Sequence, residues 1–368
     1  MNALARLLTS RWGPILTGAV IGLLAPLLVR LGNPGNMGVC VACFCRDIAG
    51  ALGLHRAAAV QYIRPEIVGL VLGSLAAALV FREFKPRTGS APLVRFLLGV
   101  FAMVGALAFL GCPWRAFLRL AGGDGNALVG IAGLAAGIGL GVLLLRRGFS
   151  LGRSRPATPA LGWVMPVLMG ALLLAAVDAT PFGRDAQGNP TGPIFQSAQG
   201  PGSQHAALGA SLAVGLLVGF LAQRSRFCTV GALRNLMWVR DSQLFHGVAV
   251  LVVVAGAANL ALGQFQAGFQ GQPLAHTNSL WNFAGMVLSG LAFTLAGGCP
   301  GRQLILSGEG DADAAVFVLG MVVGAGFAHN FGWASSPTGP GVYGPAAVMM
   351  GLVACGLIGL AMREPPAA

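Results

Sequence analysis

The sequence predicts an all-α polytopic membrane protein in which two inverted repeats carry broken, re-entrant helices that meet at the midplane. Three observations predict it. First, apolar residues make up 55% of the 368 and charged residues only 9%, with a mean hydropathy of +0.76. Apolar runs of about 20 residues, enough to cross the hydrocarbon core, recur along the chain. Second, Gly111-Cys112-Pro113-Trp114-Arg115 returns as Gly298-Cys299-Pro300-Gly301-Arg302, and each copy is followed by seven residues and then Gly-Asp (Gly123-Asp124, Gly310-Asp311). Cys40 precedes Arg46-Asp47 by six residues, and Cys228 precedes Arg234-Asn235 by six. The spacing from Cys40 to Cys112 is 72 residues and from Cys228 to Cys299 is 71, so two motifs repeat in register. Third, the basic residues cluster in loops that fall on one side of the membrane when the spans are threaded in order.

Arg6 and Arg11 precede a first span at 14–29. The Gly/Pro-rich stretch 32–38 then leads into a short segment from Cys40, too broken to cross and read as a re-entrant dip. A second span at 65–81 ends in a basic loop with Arg82, Lys85, Arg87 and Arg95. A third span runs to Gly111, where Cys112-Pro113 breaks it, and a fourth at 127–145 leads to Arg146, Arg147, Arg153 and Arg155. A fifth span at 163–177 has no partner in the repeat and ends in a polar loop at 180–204. The second half follows the same plan: spans at 208–222, 248–262, 281–297 and 314–328, broken segments at Cys228 and Cys299, and a closing span at 347–362. The expected organisation is a first repeat over 1–155, a connecting helix and external loop over 156–205, an inverted second repeat over 206–335 and a C-terminal helix over 336–368.

With both termini cytoplasmic, the loops at 82–95 and 146–155 and the segment 224–240 fall inside. The loops at 180–205, 264–280 and 332–345 fall outside and hold one arginine and no lysine. Five spans separate each element from its repeat, so the halves are inverted. Cys40 and Cys112 enter from outside and Cys228 and Cys299 from the cytoplasm. The protein is expected in the cell inner membrane, with no cleavable signal. The net charge of +12 then belongs to cytoplasmic loops and not to a nucleic-acid partner, since the basic residues form no stripe with aromatics.

A broken helix offers unpaired backbone N–H groups and the positive end of its dipole, a natural seat for an anion. Pro directly after Cys112 and Cys299 suits a first helical turn. The neighbouring thiol is a weak, polarizable donor, better matched to a large soft anion than to phosphate. A free cysteine is often simply core, but four at duplicated, helix-breaking positions point to a substrate pathway through Cys40, Cys112, Cys228 and Cys299. Arg46, Arg115, Arg234 and Arg302 sit in the same motifs and either draw anions into the vestibules or cap carbonyls and pair with Asp47, Asp124 and Asp311. Cys43 makes a C-x-x-C with Cys40, weak support for zinc without a second pair or histidine. Cys45 and Cys355 have no repeated thiol, and His205, His276, His329 and His246 no repeated histidine. No metal, cofactor or nucleotide-binding loop is expected.

At Cys40 with Arg46-Asp47, at Cys228-Thr229-Val230-Gly231-Ala232-Leu233-Arg234-Asn235, and at Gly111-Cys112-Pro113 and Gly298-Cys299-Pro300, the chain resembles the YeeE/YedE family of sulfur-transport membrane proteins. The stretch 37–44, with Arg46-Asp47-Ile48-Ala49-Gly50, resembles the YedE branch associated with selenium metabolism. The resemblance covers nearly the whole chain. It implies a thiosulfate-type transporter with about nine crossing helices and a cysteine relay. It also implies a small cytoplasmic sulfur carrier of the TusA/SirA type as a partner. The reading is a transporter, not an enzyme, importing a small sulfur- or selenium-containing anion such as thiosulfate. The alternative is a membrane thiol-disulfide or sulfur-transfer enzyme using Cys40 and Cys43, although the second half lacks that spacing.

Overall fold

A computed structural model describes residues 3–177 and 193–363. Residues 178–192, with Arg184 and much of the loop expected at 180–205, lie outside the described residues, as do 364–368. The described chain is helical: α1 (Ala3–Thr9), α2 (Trp12–Arg30), α3 (Val41–Ala51), α4 (Pro65–Val80), α5 (Pro92–Phe109), α6 (Pro113–Ala121), α7 (Asn126–Arg146), α8 (Pro159–Val177), α9 (Leu208–Ser225), α10 (Thr229–Trp238), α11 (Gln243–Ala261), α12 (Ser279–Leu295), α13 (Pro300–Gly308), α14 (Ala312–Asn330) and α15 (Gly344–Ala361). Strand is confined, among the described residues, to the two-residue pair β1 (Arg87–Thr88) and β2 (Arg155–Pro156).

Nine helical stretches among the described residues are long and apolar enough to cross a membrane, and the chain is a multi-pass membrane protein. The tenth expected span is α4, whose 16 residues reach only about 24 Å. Four short helices, α3, α6, α10 and α13, fall where the sequence breaks. Proline opens α4, α5, α6 and α13, where a missing N–H costs nothing.

The long helices are apolar around most of their circumference, so small residues rather than an amphipathic stripe decide how they pack. A Cβ on Gly18 of α2 would stand 2.0 Å from the Gly247 carbonyl of α11, and one on Gly22 would stand 2.6 Å from that of Leu251. Residue numbers rise together, so α2 and α11 run parallel. Gly69 and Gly73 of α4 meet Leu212 and Leu216 of α9 in the same parallel sense. Likewise Gly133 and Gly137 of α7 meet Phe283 and Val287 of α12, and Gly320 and Gly324 of α14 meet Phe96 and Val100 of α5. Exchanging α2–α7 with α9–α14 maps each of these pairs onto another. At the centre, α5 packs on α12, which holds the same place in the repeated order. There Gly105 approaches Gly285, while the Ser289 hydroxyl donates to the Ala102 carbonyl at 3.1 Å, so the two run antiparallel. α8, against α4 and α13, and α15, against α5 and α12, do not follow the exchange.

The loops gather at two ends. At one, β1 pairs with β2, Arg87 bonds Asp311, Arg224 bonds Glu83, and Arg146 reaches the Met237 carbonyl. At the other, Gly125 donates to Gly268, Ala206 to Asn33 and Ser335 to the Leu107 carbonyl. The loops rich in arginine share the first end. The repeated glycines of Gly-Asp have one cause: Gly123 and Gly310 adopt φ of 94° and 95°, a left-handed turn that glycine enters without strain.

Candidate functional site

Each of the four short helices is N-capped by a cysteine: Cys40 for α3, Cys112 for α6, Cys228 for α10 and Cys299 for α13. The local causes are legible. α5 ends at Leu110 in left-handed conformation (φ 62°), with Gly111 N–H bonded back to the Ala106 carbonyl at 2.8 Å. α12 ends at Gly297 (φ 90°), with Gly298 N–H bonded to the Phe293 carbonyl at 2.9 Å. This is the usual way to close a helix with a left-handed residue, and it turns the chain so that Cys-Pro can start a new one. The stretch before Cys40 is tied by Asn33, whose Nδ2 donates to the Gly38 carbonyl at 3.0 Å and to Glu66 at 2.8 Å.

The thiols form two pairs, one from each half. Cys40 Sγ lies 3.8 Å from Cys112 Sγ, and both residues are fully buried. In the second half the Cys299 backbone N–H donates to Cys228 Sγ at 3.4 Å. Cys40, Cys228 and Cys299 also accept a backbone N–H from the first turn of their own helices, from Cys43, Gly231 and Arg302 at 3.4, 3.2 and 3.4 Å. Cys112 does not cap its helix with its side chain. All seven cysteines are free thiols.

Trp114, two residues beyond Cys112, joins the two pairs. Its indole is fully buried and packs edge-on against Phe227, with ring centroids 5.9 Å apart. It also lies over Gly301 in the first turn of α13. The N-terminal turns of α6 and α13 therefore meet at one indole.

The four motif arginines differ in their partners. Arg46 bonds Asp47 at 2.6 Å, and Arg64 bonds the other oxygen of the same carboxylate at 2.7 Å. Arg302 bonds Glu309 at 3.2 Å, and Arg234, half-buried, bonds the Asn235 amide oxygen. Arg115 is buried and has no carboxylate partner among the described residues. It donates to the carbonyls of Leu110, Asn36 and Leu274 and, at 3.5 Å, to Cys43 Sγ. A buried guanidinium without a counter-ion is electrostatically costly, and this one stands beside the Cys40–Cys112 pair. Of the repeated acids, Asp124 pairs with Arg119 at 2.6 Å and Asp311 with Arg87 at 2.7 Å.

Other residues singled out in the sequence lie apart from the thiols. Cys45 lines an apolar cavity of about 60 Å³ with Ile48, Met165 and Met169. Cys355 is buried within α15. His276 bonds the Ala108 carbonyl at 2.8 Å, His205 stacks on Tyr62, and His329 sits 4.5 Å from the ring of His55. Sequence reasoning passed over Arg64, Arg119 and Glu309, none of which recurs in the repeat. It also passed over Trp114, although the fourth position of the duplicated motif, Trp in one copy and Gly in the other, marked it.

No group of three or more His, Cys, Asp or Glu suited to a metal ion occurs among the described residues. Residues 224–362 match the family model described as "Sulphur transport". Over 99 residues the chain is 32% identical to the thiosulfate transporter TsuA of Escherichia coli (strain K12), a match that covers 27% of this chain and 28% of that protein. The match thus spans well under a third of the relative. The second half of the chain, with Cys228, Arg234, Cys299 and Arg302, is therefore similar to the sulphur transport family.

Proposed function

We propose that the protein is a transporter, not an enzyme, that imports a small sulfur-containing anion of the thiosulfate type, or a selenium analogue, along a path lined by Cys40, Cys112, Cys228 and Cys299. The observation that carries this reading is the convergence of four cysteine-capped helix N-termini as two thiol pairs on either side of Trp114. Backbone N–H groups and dipole ends hold charge, and the thiols offer soft contacts to terminal sulfur or selenium. Arg115, buried without a carboxylate, adds a fixed positive charge that a passing anion neutralises. Two shallow sites in series release cargo better than one deep well.

The antiparallel packing of α5 on α12 supports inverted repeats, with one thiol pair reached from each face. The arginine-rich end supports cytoplasmic termini in the inner membrane. A sulfur-carrier protein of the TusA/SirA type is the partner that the family resemblance implies at that end. The experiment is uptake of labelled thiosulfate into liposomes holding the pure protein. Unaltered thiosulfate accumulating inside supports transport. Chemically altered product would favour the thiol-enzyme reading, and empty liposomes would contradict both transport and this site.

A further inference from the structure

Two buried donors near the thiol pairs lack an oxygen or nitrogen partner among the described residues. The Trp114 indole N–H, on a fully buried side chain, makes no hydrogen bond among the described residues. The hydroxyl of Thr229, also fully buried, lies beside the Cys299 thiol and meets no oxygen or nitrogen partner among the described residues. Buried polar groups are nearly always paired, and leaving a donor unpaired costs about 1–3 kcal/mol. The two atoms are placed alike. A Cβ on Gly301 would stand 3.1 Å from Trp114 Nε1, so the indole N–H lies at the N-terminal turn of α13. Thr229 is the first residue of α10, directly after Cys228.

We propose that Trp114 Nε1–H and Thr229 Oγ1–H are ligand donors for the oxygen atoms of the transported anion as it passes between the two thiol pairs. The inference rests on the transport reading and names the part of the substrate that the thiols do not hold. An indole N–H is donor only, so its natural partner is an acceptor oxygen carrying negative charge. Together with the soft contacts of Cys112 and Cys299, the two donors fit an oxyanion with one polarizable end. They discriminate against a bare hydrosulfide or hydroselenide ion, which has no oxygen to offer. The same arrangement explains why the duplicated motif differs at its fourth position: one indole serves both halves, and Gly301 makes room for it.

The experiment measures the concentration dependence of labelled thiosulfate uptake in proteoliposomes for the full-length protein and for Trp114→Phe, Thr229→Val and Thr229→Ser. Phe keeps an aromatic ring and Val keeps the shape, but each loses a donor, whereas Ser keeps the hydroxyl. Loss of a hydrogen bond to a charged group corresponds to a rise of about tenfold or more in the half-saturating concentration. That rise is expected for Trp114→Phe and Thr229→Val, with Thr229→Ser within about twofold of the parent. Parental behaviour of both Trp114→Phe and Thr229→Val overturns the assignment while leaving transport intact. If Trp114→Phe does not fold, as judged by its elution in detergent, the Thr229→Val and Thr229→Ser pair decides. A parent protein that takes up no thiosulfate overturns the transport reading itself.

Discussion

The indole of Trp114 occupies the space that a side chain at Gly301 would need: a Cβ there would stand 2.6 Å from Trp114 Cζ2 and 2.7 Å from Cε2. The fourth residues of the two motif copies are thus complementary. Gly301→Ala must push the indole off the first turn of α13, and overpacking of this kind costs about 1–3 kcal/mol. The expected outcome is a folded protein with strongly reduced uptake and a modestly lower melting temperature. Wild-type uptake by Gly301→Ala would mean that the indole's seat is not part of the path.

The thiols should be unequal. Cys112→Ala and Cys299→Ala remove a soft donor at the start of a short helix and should abolish most uptake, with Cys40→Ala and Cys228→Ala close behind. Serine at Cys112 or Cys299 keeps a hydroxyl donor and should retain part of the activity. Cys45, on an apolar cavity, and Cys355, within α15, should tolerate alanine with little change. Uptake assays in reducing buffer decide this, and an essential Cys355 beside a dispensable Cys112 would contradict the assignment.

Asp47 accepts from Arg46 and Arg64, and Asp124 from Arg119, all deeply buried. Removing one partner of a buried pair leaves an uncompensated charge and costs about 3–5 kcal/mol. Asp47→Asn and Asp124→Asn should therefore lower the melting temperature in detergent far more than Asp241→Asn in the exposed segment after α10. Equal melting of all three would show that these pairs do not hold the fold together.

The bundle and the four helix starts were legible because they are local. Apolar run length gives the spans, and Gly-Cys-Pro ends one helix and begins the next within a few residues. The pairing of Cys40 with Cys112, and of Cys228 with Cys299, was not legible, since it depends on how helices 70 or so residues apart pack. The arginines were ambiguous for the same reason. Arg46 meets a carboxylate and Arg115 meets carbonyls and Cys43, although both occupy the repeated motifs. The seat of Trp114 on Gly301 needs both halves folded together, so only the mismatch between the copies hinted at it.

The placement of the arginine-rich loops predicts the topology. Reporter fusions in the loops at 82–95 and 146–155 should report the cytoplasm, and fusions in 264–280 the opposite side. A cytoplasmic signal from 264–280 would contradict the inverted arrangement.

Selectivity tests the central claim most directly. In proteoliposomes taking up labelled thiosulfate, an excess of unlabelled thiosulfate should suppress the signal and an equal excess of sulfate should not. Both ions carry the same charge, but only thiosulfate presents a polarizable terminal sulfur to the thiols. Strong competition by thiosulfate with little or none by sulfate is the predicted result; equal competition by the two would contradict a soft-anion path lined by Cys40, Cys112, Cys228 and Cys299.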